Sequence, residues 1–141
     1  IKKYKSNIGT VKTKNAIKES EKVISSFDVK TPGTNTLATA LSGGNQQKFV
    51  VGRELEDNPS LLIASQPTRG IDIGAQALIW EKLRTTRDQG LSVLLISADL
   101  EELIGLSDRI IVFYQGRLVK ELNAENVTPE DLGGYMTGLK K

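Results

Sequence analysis

Two short apolar runs, each followed by a stretch with helical periodicity, dominate the hydrophobic pattern of this chain. The runs at 61–64 and 91–97 are bounded by turn residues and predict buried β-strands. Apolar positions from 75 to 83 recur at helical spacing and predict a helix that Gly90 ends, and another helix is predicted from about Asp99. This order of elements predicts an α/β fold with a parallel sheet and crossover helices.

The flanking parts of the chain add further elements. Apolar residues between 16 and 27 share one face of a predicted helix, and a short helix is predicted at about 129–136. The runs 109–114 and 117–121 flank a Gln-Gly dipeptide, which is a hairpin signal. The first of these runs is the third strand in the alternating order, so we expect it in the same parallel sheet.

The most informative segment is the octet Leu-Ser-Gly-Gly-Asn-Gln-Gln-Lys at 41–48, here named the Ser-Gly-Gly loop. Ser42 is a favoured N-cap for a helix predicted from about 44 to 56. Gly43 and Gly44 allow the backbone to come close to a ligand. A hydroxyl, free amide N–H groups and the positive end of a helix dipole then meet at one point, which suits a phosphate. The alternative is a flexible turn before a surface helix.

A glycine also lies inside the helix predicted at 44–56. In a helix interior glycine costs roughly 1 kcal/mol relative to alanine. We therefore expect another element to pack closely against Gly52. The dipeptide Asn58-Pro59 breaks the chain after this helix.

Composition limits the possible classes of function. With 141 residues, 38% hydrophobic and 26% charged, the chain is one globular domain or part of one. The net charge of +2 gives no indication of a nucleic-acid partner. Residues 1–30 hold eight lysines against three acidic residues, which predicts a solvated helical face or, alternatively, a basic docking surface.

Several residue types and segments are absent from the sequence. It contains no Cys, so it has neither disulfides nor thiolate metal sites. It contains no His, which removes the commonest metal ligand and the commonest general base. No apolar run approaches the length of a membrane span. The first residue is not Met, and we expect a fragment of a longer protein.

The Ser-Gly-Gly loop and the segments after it resemble, in order and spacing, the motifs of ABC-type ATPases. The loop resembles their signature loop. Residues 61–72 resemble the Walker B strand with its D-loop, and residues 94–103 resemble the switch segment. Residues 106–116 look like the start of the closing strand pair.

Finer features narrow the resemblance. The sequences at 45–48 and 67–70 are similar to the second nucleotide-binding domain of the tandem ATPase subunits that energise simple-sugar and nucleoside importers. Residues 18–40 are most similar to the nucleoside branch. The resemblance implies the distal half of a RecA-like P-loop NTPase domain. Residues 1–58 would be part of its helical subdomain, including the signature loop and helix, and residues 59–141 the distal half of the ATPase core.

Three positions depart from the family pattern. The family places Asp and then Glu at the end of the Walker B strand, where this chain has Ser65 and Gln66, and the switch His falls at Ala98. A hydroxyl is a poor Mg²⁺ ligand, and an amide does not accept a proton as a carboxylate does. The sequence also has no G-x-x-x-x-G-K-[ST] motif. No catalytic residue is therefore predicted to be intact and no metal ligand is predicted, so the 141-residue chain by itself is expected to be inactive.

The resemblance implies that this domain contributes to a nucleotide site that another domain completes. ATP with Mg²⁺ would be bound by a partner nucleotide-binding domain of the same polypeptide and contacted in trans from this chain. The five residues that would bind the nucleotide are consecutive: Ser42, Gly43, Gly44, Asn45 and Gln46. Asp72, at the D-loop position, would touch the partner domain.

The same resemblance implies the wider assembly and its alternatives. Its partners would be transmembrane permease subunits and, indirectly, an extracytoplasmic binding protein. The subunit itself would lie at the cytoplasmic face of the bacterial plasma membrane, and it would bind no nucleic acid. One alternative is a regulatory or structural ABC module that never meets nucleotide. Another is a DNA-repair-type ABC ATPase, which strong salt-sensitive DNA binding would reveal. The last is an α/β domain whose Ser-Gly-Gly turn is a coincidence.

Overall fold

The computed structural model describes residues 13–140, so the first twelve residues and their lysines lie outside it. The helices are α1 (Thr13–Ser26), α2 (Gly43–Leu55), α3 (Ile73–Asp88), α4 (Leu100–Leu106) and α5 (Pro129–Met136). The strands are β1 (Leu61–Ser65), β2 (Ser92–Ile96), β3 (Arg109–Tyr114) and β4 (Arg117–Asn123). Short 3-10 turns occupy Ala38–Ala40 and Ala124–Asn126. The predicted helices and strands are confirmed, with their ends shifted by at most a few residues.

The described residues form two compact units, of which the first comprises 13–60 and 68–81. Its buried side chains come from α1, from the segment after it, and from α2 and α3. The most buried of them are Val23, Phe27, Val29, Val51, Ala75 and Ile79. This unit contains the Ser-Gly-Gly loop.

Close packing between α1 and α2 occurs at Gly52, as the sequence predicts. A Cβ atom added there would lie 2.7 Å from Phe27 Cδ2 and 2.7 Å from Val23 Cγ1. Both neighbours are buried, at 6% and 2% exposure. Only glycine lets the two helices approach this closely, which explains why a poor helix former occupies the middle of α2.

The second unit comprises 61–67 and 82–140 and contains both sheets. Strands β1 and β2 pair in parallel, from Leu61 opposite Ser92 to Ser65 opposite Ile96. Strands β3 and β4 form an antiparallel hairpin. Its turn has positive φ at both central residues, 48° at Gln115 and 74° at Gly116, as a tight hairpin turn requires. The main core of this unit consists of Leu103, Ile110, Val112, Ala124 and Leu132.

The expectation that the third strand joins the parallel sheet is wrong for the described residues. Strand β3 pairs with β4 only, and β1–β2 and β3–β4 are separate two-stranded sheets. A two-residue turn explains why β3 pairs with β4, which occupies one edge of β3 and leaves its other edge unpaired among the described residues. A cleft of about 710 Å³, lined by residues of both β2 and β3, lies between the two strands.

One face of the β1–β2 sheet is apolar and open. Leu61 and Ile63 of β1 are 51% and 61% exposed, and their neighbours Leu94 and Ile96 of β2 are 51% and 50% exposed. These residues share a face because alternate residues of a strand point to the same side. Parallel sheets normally have both faces covered. Among residues 13–140, no helix is long and apolar enough to cross a membrane.

Candidate functional site

The Ser-Gly-Gly loop ends as the first turn of α2, with Ser42 as its N-cap. Ser42 is extended, with φ −62° and ψ 156°, and its Oγ accepts a hydrogen bond from the Asn45 N–H at 3.4 Å. Its carbonyl accepts from the Gln46 N–H at 2.9 Å. Since the first amide groups of a helix have no partner within the helix, the N–H groups of Gly43 and Gly44 are left to other acceptors. The predicted N-cap is confirmed.

The side-chain amides of Asn45 and Gln46 stabilise the loop by hydrogen bonds. Asn45 Nδ2 donates to Ser42 Oγ at 2.9 Å, and Asn45 Oδ1 accepts from the Lys30 N–H at 2.8 Å. Gln46 Nε2 donates to the Leu41 carbonyl at 2.9 Å. Within the described residues, both predicted nucleotide-binding side chains therefore bond to the protein itself, while Ser42 is exposed.

A sequence argument alone does not reveal why Gly44 is glycine. A Cβ atom at this position would lie 2.9 Å from Asp72 Oδ2 and 3.1 Å from Ala75 Cβ. A Cβ atom at Gly43 would meet only the Gly70 carbonyl oxygen, at an ordinary 3.7 Å. Gly44 is therefore required by close packing within the first unit, in addition to any ligand.

Asp72 lies immediately before α3 and acts as a cap for it. Its Oδ1 accepts from the Ala75 N–H at 2.9 Å, and its Oδ2 faces the backbone of Gly44. The structure thus brings Asp72 and the Ser-Gly-Gly loop together, a contact that the sequence pattern gave no means to predict.

Lys48, the cation of the octet, contacts Asp28. Lys48 Nζ donates to the Asp28 carbonyl at 3.3 Å and lies 4.0 Å from its Oδ2. The Lys30 ammonium donates to Asp28 Oδ1 at 2.6 Å, and this hydrogen bond lowers the pKa of the Asp28 carboxyl below its ordinary value. The ionised Asp28 carboxylate therefore links Lys30 to Lys48 of α2.

The three positions that depart from the family pattern, Ser65, Gln66 and Ala98, lie in the second unit, at the carboxyl ends of the parallel strands. Ser65 is the last residue of β1, and Ala98 follows β2 by two residues; both are exposed. Gln66 has a φ of 50°, and its N–H donates to the Ile96 carbonyl at 2.7 Å. A positive φ at a residue other than glycine is uncommon in proteins, and the residues that have one are concentrated at functional sites.

The chemistry of these three side chains does not suit Mg²⁺. A hydroxyl, an amide and a methyl group provide no carboxylate, which is the protein ligand that Mg²⁺ prefers. No group of three or more Cys, His, Asp or Glu side chains within residues 13–140 is arranged to hold a metal ion. The Ser-Gly-Gly loop, in contrast, offers a hydroxyl and amide N–H donors that fit an anion such as phosphate.

The fold matches part of the fold of ABC transporter cassettes. Two dimeric structures of MJ0796, a bacterial ABC transporter cassette, match with TM-scores of 0.68 and 0.69 and 23% identity over 82% of this chain and 50% of theirs. One of the two is a post-hydrolysis state bound to ADP and Pi. At this identity the match shows the fold alone.

Relatives with closer sequences are import ATP-binding proteins. The chain is 47% identical over 137 residues to the guanosine import ATP-binding protein NupO of Bacillus subtilis, covering 97% of this chain and 27% of the relative. It is 39% identical over 135 residues to the ribose import ATP-binding protein RbsA of Clostridium tetani, covering 96% and 27%. Its homologues are thus ATP-binding proteins of sugar and nucleoside ABC importers. The chain spans about a quarter of their length, and no family model matches it.

Proposed function

We propose that this chain is the C-terminal part of the second nucleotide-binding domain of a tandem ABC import ATPase, and that it donates its Ser-Gly-Gly loop to ATP held by the first domain. The observation that carries the proposal is a contrast between two sites. Hydrogen bonds hold the loop in place: Ser42 is exposed, and the side chains of Asn45 and Gln46 donate to other residues of the loop. The positions that would serve the domain's own nucleotide, Ser65, Gln66 and Ala98, are all neutral.

The loop residues have defined roles in this proposal. The Ser42 hydroxyl and the N–H groups of Gly43 and Gly44 donate to phosphate oxygens, aided by the positive end of the α2 dipole. Asn45 and Gln46 hold the loop. Bound ATP supplies the phosphoryl group whose transfer to water drives transport, with Mg²⁺ held by the partner domain. Fixed donors of this kind stabilise charge because they need no reorganisation during the reaction. Asp72 would add a contact to the partner from its place beside Gly44.

The open faces of the second unit support the proposal that further sequence completes the domain. Four large apolar residues of the β1–β2 sheet are about half exposed, and a cleft separates β2 from β3. The remainder of the domain would cover the exposed face. We propose that residues 1–58 belong to the helical subdomain of the complete domain and residues 59–141 to the distal half of its ATPase core.

The transported substrate and the partners follow from the relatives by analogy. Relatives at 38–47% identity are named for guanosine, ribose, nucleosides and galactose. We therefore propose a nucleoside or a simple sugar as the transported substrate, with the nucleoside favoured. The subunit would bind permease subunits at the cytoplasmic face of the membrane, and a binding protein would deliver the substrate.

The 141-residue chain alone is expected to show no ATP hydrolysis above that of buffer. It has no phosphate-binding loop motif, no carboxylate at the Walker B positions and no switch His. A phosphate-release assay with Mg-ATP measures this. Turnover that disappears in the Ser42→Arg variant would mean that the chain carries a complete active site, contrary to the proposal.

A second candidate function is a module that stabilises the importer without contacting nucleotide, which the neutral Ser65, Gln66 and Ala98 favour. The two functions differ in one measurement on the full-length subunit. Under the first proposal, Ser42→Arg weakens the ATP-dependent closure of the two nucleotide-binding domains, because a bulky side chain blocks the approach of phosphate. Domain closure that is insensitive to Ser42→Arg would favour the structural module.

A further inference from the structure

The Ser42 hydroxyl is polarised by its neighbours. A serine hydroxyl has two lone pairs that accept and one hydrogen that donates. Both acceptor positions of Ser42 Oγ are directed at Asn45, which donates from its backbone N–H at 3.4 Å and from Nδ2 at 2.9 Å. The remaining capacity of the hydroxyl is donation. Since Ser42 is exposed, this hydrogen is available to a ligand outside the loop.

The orientation of the Asn45 amide is fixed by a group that can only donate. The Lys30 N–H donates to Asn45 Oδ1 at 2.8 Å, so the oxygen end of the amide must face Lys30. The NH₂ end must then face Ser42. The direction of the Ser42 hydroxyl is thus set by a backbone N–H group that lies in the segment between α1 and α2, fifteen residues before Asn45.

We infer that Asn45 is a positioning residue that holds the Ser42 hydroxyl as an obligatory donor toward an acceptor-only ligand, namely the phosphate chain of ATP held by the partner domain. The inference rests on the proposed function. Phosphate oxygens accept hydrogen bonds and do not donate at neutral pH, so a hydroxyl that only donates matches them. Asn45 itself does not touch the nucleotide; it acts through Ser42, and Lys30 acts through Asn45.

The test is a double-mutant cycle on ATPase activity of the full-length subunit assembled with its permease and binding protein. The variants are Ser42→Ala, Asn45→Ala and the double variant. A hydrogen bond to a charged group is worth about 1.5–3 kcal/mol, so each single change should lower kcat/KM by about tenfold or more. If Asn45 acts through Ser42, the double variant loses no more than Ser42→Ala alone. Independent effects would multiply to about a hundredfold and would overturn the inference.

Two further variants separate positioning from packing. Asn45→Asp keeps the shape and the acceptor for the Lys30 N–H but has no NH₂ group, so the Ser42 hydroxyl turns inward to the new carboxylate. It should therefore impair activity, and the loss should be larger with Ser42 present than in the Ser42→Ala background, where only the added charge acts. Equal losses in both backgrounds would contradict the inference. Asn45→Gln retains an amide and should recover part of the activity that Asn45→Ala loses, whereas a packing role predicts no recovery.

The control is Asn35→Ala, the same chemical change at an exposed residue of the same unit. Its kcat/KM should stay within about twofold of the unaltered protein, as for most surface changes. The failure of the inference and the failure of the proposed function are distinguishable. If Ser42→Ala has no effect, the proposed function fails. If Ser42→Ala impairs hydrolysis and Asn45→Ala does not, only the inference fails.

Discussion

Replacing Gly44 with aspartate in the full-length subunit is expected to abolish ATP hydrolysis coupled to transport. The new Cβ would lie 2.9 Å from Asp72 Oδ2, so it would displace the carboxylate that caps α3. The new carboxylate would also stand beside Asp72 and oppose the phosphate that the loop receives. Aspartate keeps the backbone N–H at this position but the steric conflict shifts it out of place. Loss of one fixed donor at an acyl-transfer site costs about 10²–10³ in kcat, and we expect a fall at least at the lower end of this range.

Gln66→Ala, in contrast, is expected to leave most of the hydrolysis. In the proposed arrangement Gln66 belongs to the domain's own nucleotide site, where the adjacent Ser65 is neutral and Ala98 has no proton donor. What the fold uses from Gln66 is its backbone N–H, which donates to the Ile96 carbonyl and is retained in alanine. The assay is ATPase activity in membrane vesicles, with the binding protein and its ligand present.

Matched variants separate the causes of the Gly44→Asp effect. Asn35→Asp adds the same charge at an exposed position of the same unit and should leave activity unchanged. Gly44→Ala adds the steric conflict without the charge, and its activity should lie between those of Gly44→Asp and Asn35→Asp. Each variant is checked for folding by its thermal unfolding. If Gln66→Ala proves as damaging as Gly44→Asp, this domain hydrolyses ATP at its own site and the asymmetric arrangement is wrong.

The sequence predicts features that short-range signals determine. Ser42 caps α2 because a serine before a helix start satisfies an amide group of the first turn. The hairpin forms at the Gln-Gly dipeptide because positive φ values are accessible there. The apolar runs become β1 and β2 because they are short and bounded by turns.

The partners in long-range contacts were not predictable: the sequence predicts close packing at Gly52 but not that Val23 and Phe27 provide it. The Asn45–Lys30 hydrogen bond joins residues fifteen positions apart, and no periodicity marks it. The contact of Gly44 with Asp72 depends on how α2 packs against the start of α3. The pairing of β3 was predicted wrongly because strand order along the chain does not determine which edges meet. The loop that we propose binds phosphate was thus visible in the sequence, whereas the contacts that position it were not.

Gly52→Ala is expected to loosen the packing of α1 against α2, although alanine is the better helix former. The methyl group would lie 2.7 Å from both Phe27 Cδ2 and Val23 Cγ1, far inside van der Waals contact. Because both neighbours are buried, they cannot turn toward solvent to make room. Overpacking of this kind costs about 1–3 kcal/mol, whereas the gain in helix propensity is at most about 1 kcal/mol. We therefore expect a net loss of stability in the first unit.

The measurement is amide hydrogen exchange of α1 and α2 in the full-length subunit, which reports local stability within a larger protein. A loss of 1–2 kcal/mol should speed exchange in these helices by roughly 5–30-fold. The matched control is Gly133→Ala in α5, where a Cβ would meet only Leu100 Cδ1 at an ordinary 3.8 Å. That change should instead slow local exchange, because alanine is favoured over glycine by about 0.5–1 kcal/mol inside a helix. Slower exchange in both variants would show that α1 and α2 have room for a methyl group at position 52. Close packing would then not explain the glycine at that position.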